Sequence, residues 1–140
     1  GYYEAADGRW LTLIGEFYVD DQWRRVARAC QLAEAQIEDA RFHSIEGLRE
    51  HTEETGRLLA DAIARFPRDE IIARFEAEDV LVAPVHEYED VFVDPQVQHN
   101  RLVLEGEIAE LGTVRFVGMP IALSETPAQL RRTPPKVGEH

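Results

Sequence analysis

Apolar residues recur at helical spacing in three stretches of this chain, all within its first two thirds. Trp23, Val26, Ala27, Cys30 and Ala33 keep an i, i+3, i+4, i+7 rhythm. Asp20 and Asp21 precede them, and acids suit a helix N-terminus. A second helix is predicted from about Ile45 to Phe66, with Thr55, Leu58, Leu59, Ala62, Ile63 and Phe66 on its inner stripe and Pro67 as its stop. A third runs from Asp69 to Ala77 and turns Ile71, Ile72 and Phe75 inward. Each stripe has to be buried against another layer.

The strands that could supply that layer are short. Trp10 to Phe17 is apolar and follows an Asp7-Gly8 turn, so it reads as a buried strand. Asp79 to Val85 reads as a brief strand, with Pro84 at its end or on an edge. A short helix is predicted over Glu87 to Val93. Asp94-Pro95-Gln96-Val97 looks like a cap followed by proline in a first turn. Arg101 to Ile108 and Thr113 to Gly118 form a predicted hairpin across Glu110-Leu111-Gly112. From Met119 onward, Pro120, Pro127, Pro134, Pro135 and the Arg131-Arg132 pair indicate an extended, linker-like tail. The predicted class is α+β, with helices packed on a small antiparallel sheet and a Pro-rich C-terminal tail. No βαβ unit with a glycine-rich phosphate turn is present in the pattern.

The 140 residues fit one domain. A formal net charge of −12 argues against nucleic acid as a partner and against anionic membranes. With Cys30 as the single cysteine, no internal disulfide can form, and a cytoplasmic location is expected. No apolar run approaches the roughly 20 residues of a membrane-spanning helix.

Chemistry-bearing motifs are sparse. His43, His51, His86, His99 and His140 are scattered, and no metal site is expected. His86, Glu87, Glu89 and Asp90 are the densest group of ligand-type residues and read as a solvated acidic face. Ser44 and Ser124 sit in no nucleophile elbow. Cys30 lies on an apolar stripe and reads as a buried structural thiol. Glu50, Glu53 and Glu54 with Arg49 and Arg57 read as ion pairs on a helix surface. No catalytic residue is assigned.

Several segments, in order, resemble family III CoA-transferases (CaiB/BaiF), the family of formyl-CoA transferase and α-methylacyl-CoA racemase. Tyr2-Tyr3-Glu4-Ala5-Ala6-Asp7-Gly8-Arg9-Trp10 is similar to "PFY..Y..ADGRY". Asp39-Ala40-Arg41-Phe42 resembles "DPRF", and Asp79 to Val85 resembles "GVPCGPV", with Asp79 and Ala83 replacing its glycines. Asp94-Pro95-Gln96-Val97 matches "DPQV", residues 112–121 resemble "GTVRQVGSPI", and Ser124-Glu125-Thr126-Pro127 matches "SETP". The C-terminal Thr133-Pro134-Pro135-Lys136-Val137-Gly138-Glu139-His140 is similar to "APLLGEHT" and stops one residue short of its end.

The resemblance implies a small domain over residues 1–125, with 126–140 leading to a large CoA-binding domain. On that expectation the chain is an excised piece, inactive alone. Its parent would move CoA between carboxylic acids through an aspartyl-CoA thioester, as an interlocked homodimer. Coenzyme A thioesters would be substrates, and no tightly bound cofactor is implied. Racemase members carry a glutamate in "VGAIEPQF" that approaches the active site. The matching stretch here, Leu13 to Trp23, lacks "EPQF" and puts Glu16 or Asp20 nearest that position, as substrate-proximal candidates. The alternatives are a racemase or epimerase domain, or a binding or assembly module without chemistry.

Overall fold

The computed structural model describes residues 1–14, 21–108, 110–135 and 137–138. The chain divides into two compact units, residues 1–85 and 86–140. Both carry helices and antiparallel strands, so the α+β class holds.

In the first unit, β1 (Tyr2–Glu4), β2 (Trp10–Leu13) and β3 (Val82–Pro84) form an antiparallel sheet in that order. Tyr3 pairs with Leu11, and Leu11 with Pro84. The proline is tolerated because β3 lies on the sheet edge, where its missing N–H leaves no ladder bond unmade. Gly8, at φ +74, turns β1 into β2. Alternation along β2 sends Leu11 and Leu13 into the core and leaves Trp10 exposed. Sequence patterning does not reveal β1, because three residues are too few to show a period. The described part of β2 ends at Leu13, and residues 15–17 of the longer predicted strand lie outside the described residues.

Five helical pieces and a tight turn cover this sheet's unit among the described residues: α1 (Gln22–Ala29), α2 (Glu34–Ile37), a 3₁₀ turn (Ala40–Phe42), α3 (Ile45–Glu50), α4 (Thr52–Ile63) and α5 (Arg68–Ala77). The α1 stripe ends earlier than predicted. Gln31 adopts φ 52, which turns the chain, and Ala33 becomes the residue that opens α2. The predicted helix from Ile45 to Phe66 is in fact two. His51, at φ −108 and ψ 26, separates them. Ser44 caps the start of α3, its Oγ accepting the Gly47 N–H, and at the break Thr52 Oγ1 donates to the Leu48 and Arg49 carbonyls. Gly47 is needed where it stands, because a Cβ there would collide with the Arg41 carbonyl oxygen.

The core of the first unit is built on Leu11, Cys30, Phe42, Ile63, Ile71 and Phe75, all essentially inaccessible. Burying each large apolar side chain contributes roughly 1.5–3 kcal/mol. Trp23 packs edge-on against Phe42 with ring centroids 4.7 Å apart, and its indole N–H donates to the Gln36 carbonyl at 2.9 Å. Arg68 is buried yet satisfied: its Nη1 donates to the Val85 carbonyl at 3.1 Å and its Nε to Asp69 at 3.1 Å.

The second unit contains α6 (Tyr88–Val93), α7 (Pro95–His99), β4 (Val103–Ile108) and β5 (Gly112–Val117). Asp94 caps α7 as its sequence suggests, accepting the Gln96 and Val97 N–H groups, with Pro95 in the first turn. β4 and β5 are the predicted hairpin, with Leu104 opposite Phe116 and Gly112 at φ +73 in the turn. The described residues from Met119 onward carry no helix or strand. Leu130 and Thr133 nevertheless lie over Gly106 of β4, where an added Cβ would meet their methyl carbons at 3.4 and 3.2 Å. No helix among the described residues is long and apolar enough to cross a membrane.

Candidate functional site

The first unit contains a cavity of about 340 Å³. Its walls are apolar: Leu13 and Ile14 at the end of β2, Trp23 and Val26 on α1, Leu59 on α4, and Val80. The α3–α4 corner closes another side with Leu48, Arg49, Thr52 and Thr55. Gly56 also lines it, and a Cβ at that position would find nothing within 4 Å.

Three polar side chains line this cavity without spending their hydrogen-bonding capacity on the described residues. Gln22 is 8% exposed, and its amide has no hydrogen-bond partner among them. Gln22 is among the residues that line the cavity. The Tyr3 hydroxyl is likewise unspent. Burial, with Cys30 nearby as a smaller influence, raises the pKa of that phenol, so it stays neutral and able to donate. Arg49 is exposed at the edge and pairs with no acid among the described residues. Of the ion pairs expected along that helix surface, Arg57 meets Glu53 at 3.7 Å, whereas Glu54 is held at 3.0 Å by Arg41 of the 3₁₀ turn, a partner the sequence reading did not include. The arrangement is an apolar hollow lined also by an amide, a phenol, the Arg49 side chain and Gly1, whose α-ammonium donates to the Leu13 carbonyl at 2.9 Å, and it suits a small organic ligand.

The sequence-derived candidates stand as follows. Glu16 and Asp20 lie outside the described residues, as do Glu139 and His140. Ile14 and Gln22, in the described segments on either side of Glu16 and Asp20, both line the cavity. Cys30 is fully buried, and its thiol is pushed up to about 12 by burial, against a smaller opposing influence from Arg65. It is not poised as a nucleophile. His86 stands 3.9 Å from Asp90 and 3.7 Å from Asp94. Those two acids already serve the N-termini of α6 and α7, where Asp90 accepts the Glu87 N–H at 3.2 Å. Among the described residues, no group of three or more histidines, cysteines and acids could hold a metal ion. Tyr3, Gln22 and Arg49 escape sequence reading as a set because β1, α1 and α3 bring them together from distant positions.

A three-stranded antiparallel sheet under short helices, followed by a helical pair and a hairpin, defines an α+β segment with a ligand-sized hollow. Comparison with known proteins places that segment. The chain belongs to CoA-transferase family III, whose model matches residues 1–140. It is 27% identical over 136 residues to the succinate–glutarate CoA-transferase of Agrobacterium fabrum, covering 97% of this chain and 33% of that protein. It is 25% identical over 142 residues to the succinyl-CoA–L-malate CoA-transferase beta subunit of Chloroflexus aurantiacus, covering 100% of this chain and 34% of that one. The fold is shared with a CAIB/BAIF family protein from Brucella suis, at a TM-score of 0.79 and 22% identity over 99% of this chain and 34% of that chain. The chain thus spans about a third of the length of the curated relatives it matches.

Proposed function

We propose that this chain is the small domain of an acyl-CoA transferase that moves CoA between carboxylic acids. The observation that carries the reading is the family match along all 140 residues, together with relatives named as transferases that join CoA to succinate, glutarate or malate. Those names favour transfer over racemisation. In this reading the reactive carboxylate is an aspartate in the larger part of the parent protein, and it carries CoA as an aspartyl-CoA thioester between the two half-reactions. Succinyl-CoA is the proposed donor and a short dicarboxylic acid the proposed acceptor. The parent is proposed to be an interlocked homodimer in which this domain frames the acyl end of the site.

The test has two arms. The 140-residue chain, incubated with succinyl-CoA and glutarate, should form no glutaryl-CoA above the blank. A protein joining this chain to the large domain of its own open reading frame should form it, and should lose activity when a large-domain aspartate becomes asparagine. Turnover by the chain alone, abolished by changing one of its own carboxylates, would overturn the assignment. Exchange of an α-hydrogen in a 2-methylacyl-CoA without CoA transfer would point to a racemase instead.

A further inference from the structure

We infer that the C-terminal segment is a strap seated on the β4–β5 hairpin. Gly106 is the notch that receives Leu130 and Thr133, and residues 119–129 form a loop closed at both ends on the hairpin. The strap sets the direction in which the chain leaves the hairpin. This stands on the geometry of the second unit alone, and its test reads the 140-residue chain, so it holds or fails independently of the transferase reading.

Glycine in the middle of a strand sacrifices packing and conformational entropy, and it marks a place where another segment comes close. At Gly106 of β4, an added Cβ would meet Phe116 Cε2 at 3.0 Å, Thr133 Cγ2 at 3.2 Å and Leu130 Cδ2 at 3.4 Å. Phe116 stands opposite Leu104, so its ring leans diagonally along β4 to cover the glycine. Leu130 and Thr133 arrive from a segment with no helix or strand of its own among the described residues. Side chains from β5 and from the C-terminal segment thus converge where β4 has none. Leu130 is accordingly 37% exposed, against 47%, 68% and 52% for Met119, Ile121 and Leu123 in the loop.

A second close approach fixes the start of the loop. The Gly118 N–H donates to the Leu102 carbonyl at 2.6 Å, and a Cβ at Gly118 would stand 2.5 Å from the Arg101 carbonyl oxygen. That neighbour is backbone and cannot swing aside as a side chain would, so glycine is required for the chain to leave β5 along this path. Pro120 and Pro127 restrict the backbone between the two anchors, which lowers the entropy lost when the loop closes. Among the described residues, no hydrogen bond joins residues 119–135 to the hairpin, so side-chain packing holds the strap. Its seating is therefore reversible, and its amides exchange readily even when it is seated.

Two measurements on the 140-residue chain test the strap. In nuclear Overhauser spectra, the methyl protons of Leu130 and Thr133 should show contacts to the Gly106 α-protons and the Phe116 ring. Leu130 and Thr133 also flank Arg131 and Arg132, so the seated strap restrains the bonds that trypsin cuts there. Each cleavage rate is taken relative to a free peptide of the same 126–135 sequence, which removes any effect of a substitution on the protease itself. Gly106→Val fills the notch, and Leu130→Ala removes the larger apolar contact of the strap. Each should speed cleavage after Arg131 and Arg132 about fivefold or more, because cleavage tracks the population of the released segment. Leu123→Ala, within the loop, should stay within about twofold of the unaltered chain. Leu130 lies outside every described helix and strand, so Leu130→Ala keeps the fold and the test stays decisive should Gly106→Val fail to fold. The proposal falls if the Gly106 contacts are absent in the unaltered chain. It also falls if Leu130→Ala leaves the relative cleavage rate unchanged, or if Leu123→Ala raises it as much.

Discussion

Cys30 shows how one residue can carry a pH signature without carrying chemistry. Its thiol is buried in the first unit's core, and burial raises it from the ordinary 9.0 to about 12. A folded-state pKa above the unfolded one means that the stability it contributes is fully present below the unfolded value. That stability is lost as pH climbs toward the folded value. The chain should therefore lose stability between about pH 9 and 12, and Cys30→Ala should lose less over that window. Melting temperatures measured across it will decide, and a thiol reagent should label folded Cys30 far more slowly than the denatured chain. Asp39 works in the opposite sense. The Arg41 guanidinium, then the Arg41 N–H, hold its carboxyl below the usual range. Its contribution is present above the ordinary carboxylate pKa and fades as pH falls through the lowered folded value. Asp39→Asn should flatten the acid side of the stability profile, and an unchanged acid limb would show that the Asp39–Arg41 contact contributes nothing there.

At the scale of elements, the cavity divides two substitutions that look alike in sequence. Phe75 on α5 is fully buried away from the hollow, whereas Leu59 on α4 already borders it. Phe75→Ala should cost about 3–5 kcal/mol, and Leu59→Ala should fall near the low end of the roughly 2–5 kcal/mol range for such changes. Denaturant titration of both variants checks the order, and a larger loss for Leu59 would mean that the cavity collapses in solution. Helical stripes were legible because a 3.6-residue period repeats over several turns; Trp23, Val26, Cys30, Leu59, Ile63 and Phe75 are all buried as that period requires. The Asp94 cap and the β4–β5 hairpin were legible because their signals are local. What escaped depends on contacts distant in sequence or on single dihedrals. The break at His51, the left-handed Gln31 and the pairing of β1 with β2 leave no periodic trace. The cavity escaped for the same reason, since Tyr3, Gln22 and Arg49 converge only after the fold is made.

At the scale of the whole molecule, the two units bury apolar surface very unequally. Among the described residues, the buried hydrophobic ones run from Ala5 to Val80, all within the first unit. In the second unit, Tyr88, Val93, Val117 and Ile121 remain largely exposed at 85%, 74%, 89% and 68%. Apolar burial is the dominant favourable contribution to folding, so a unit that buries little of its apolar surface opens at low free energy even when its hairpin hydrogen bonds are formed. Exposed apolar groups in such numbers also point to a covering surface, which fits the proposed large domain of the parent. Hydrogen exchange on the dilute chain should therefore protect the α4 amides from Leu58 to Ile63 far more than those of β4 and β5, and amides beyond Gln129 least of all. Trypsin should cut after Arg101, Arg115 and Arg131 before it cuts within α4 or α5. Joining the chain to the parent's large domain should raise protection in the second unit selectively. Equal protection of α4 and the hairpin in the isolated chain would show instead that the second unit is self-sufficient and that its exposed apolar side chains need no cover.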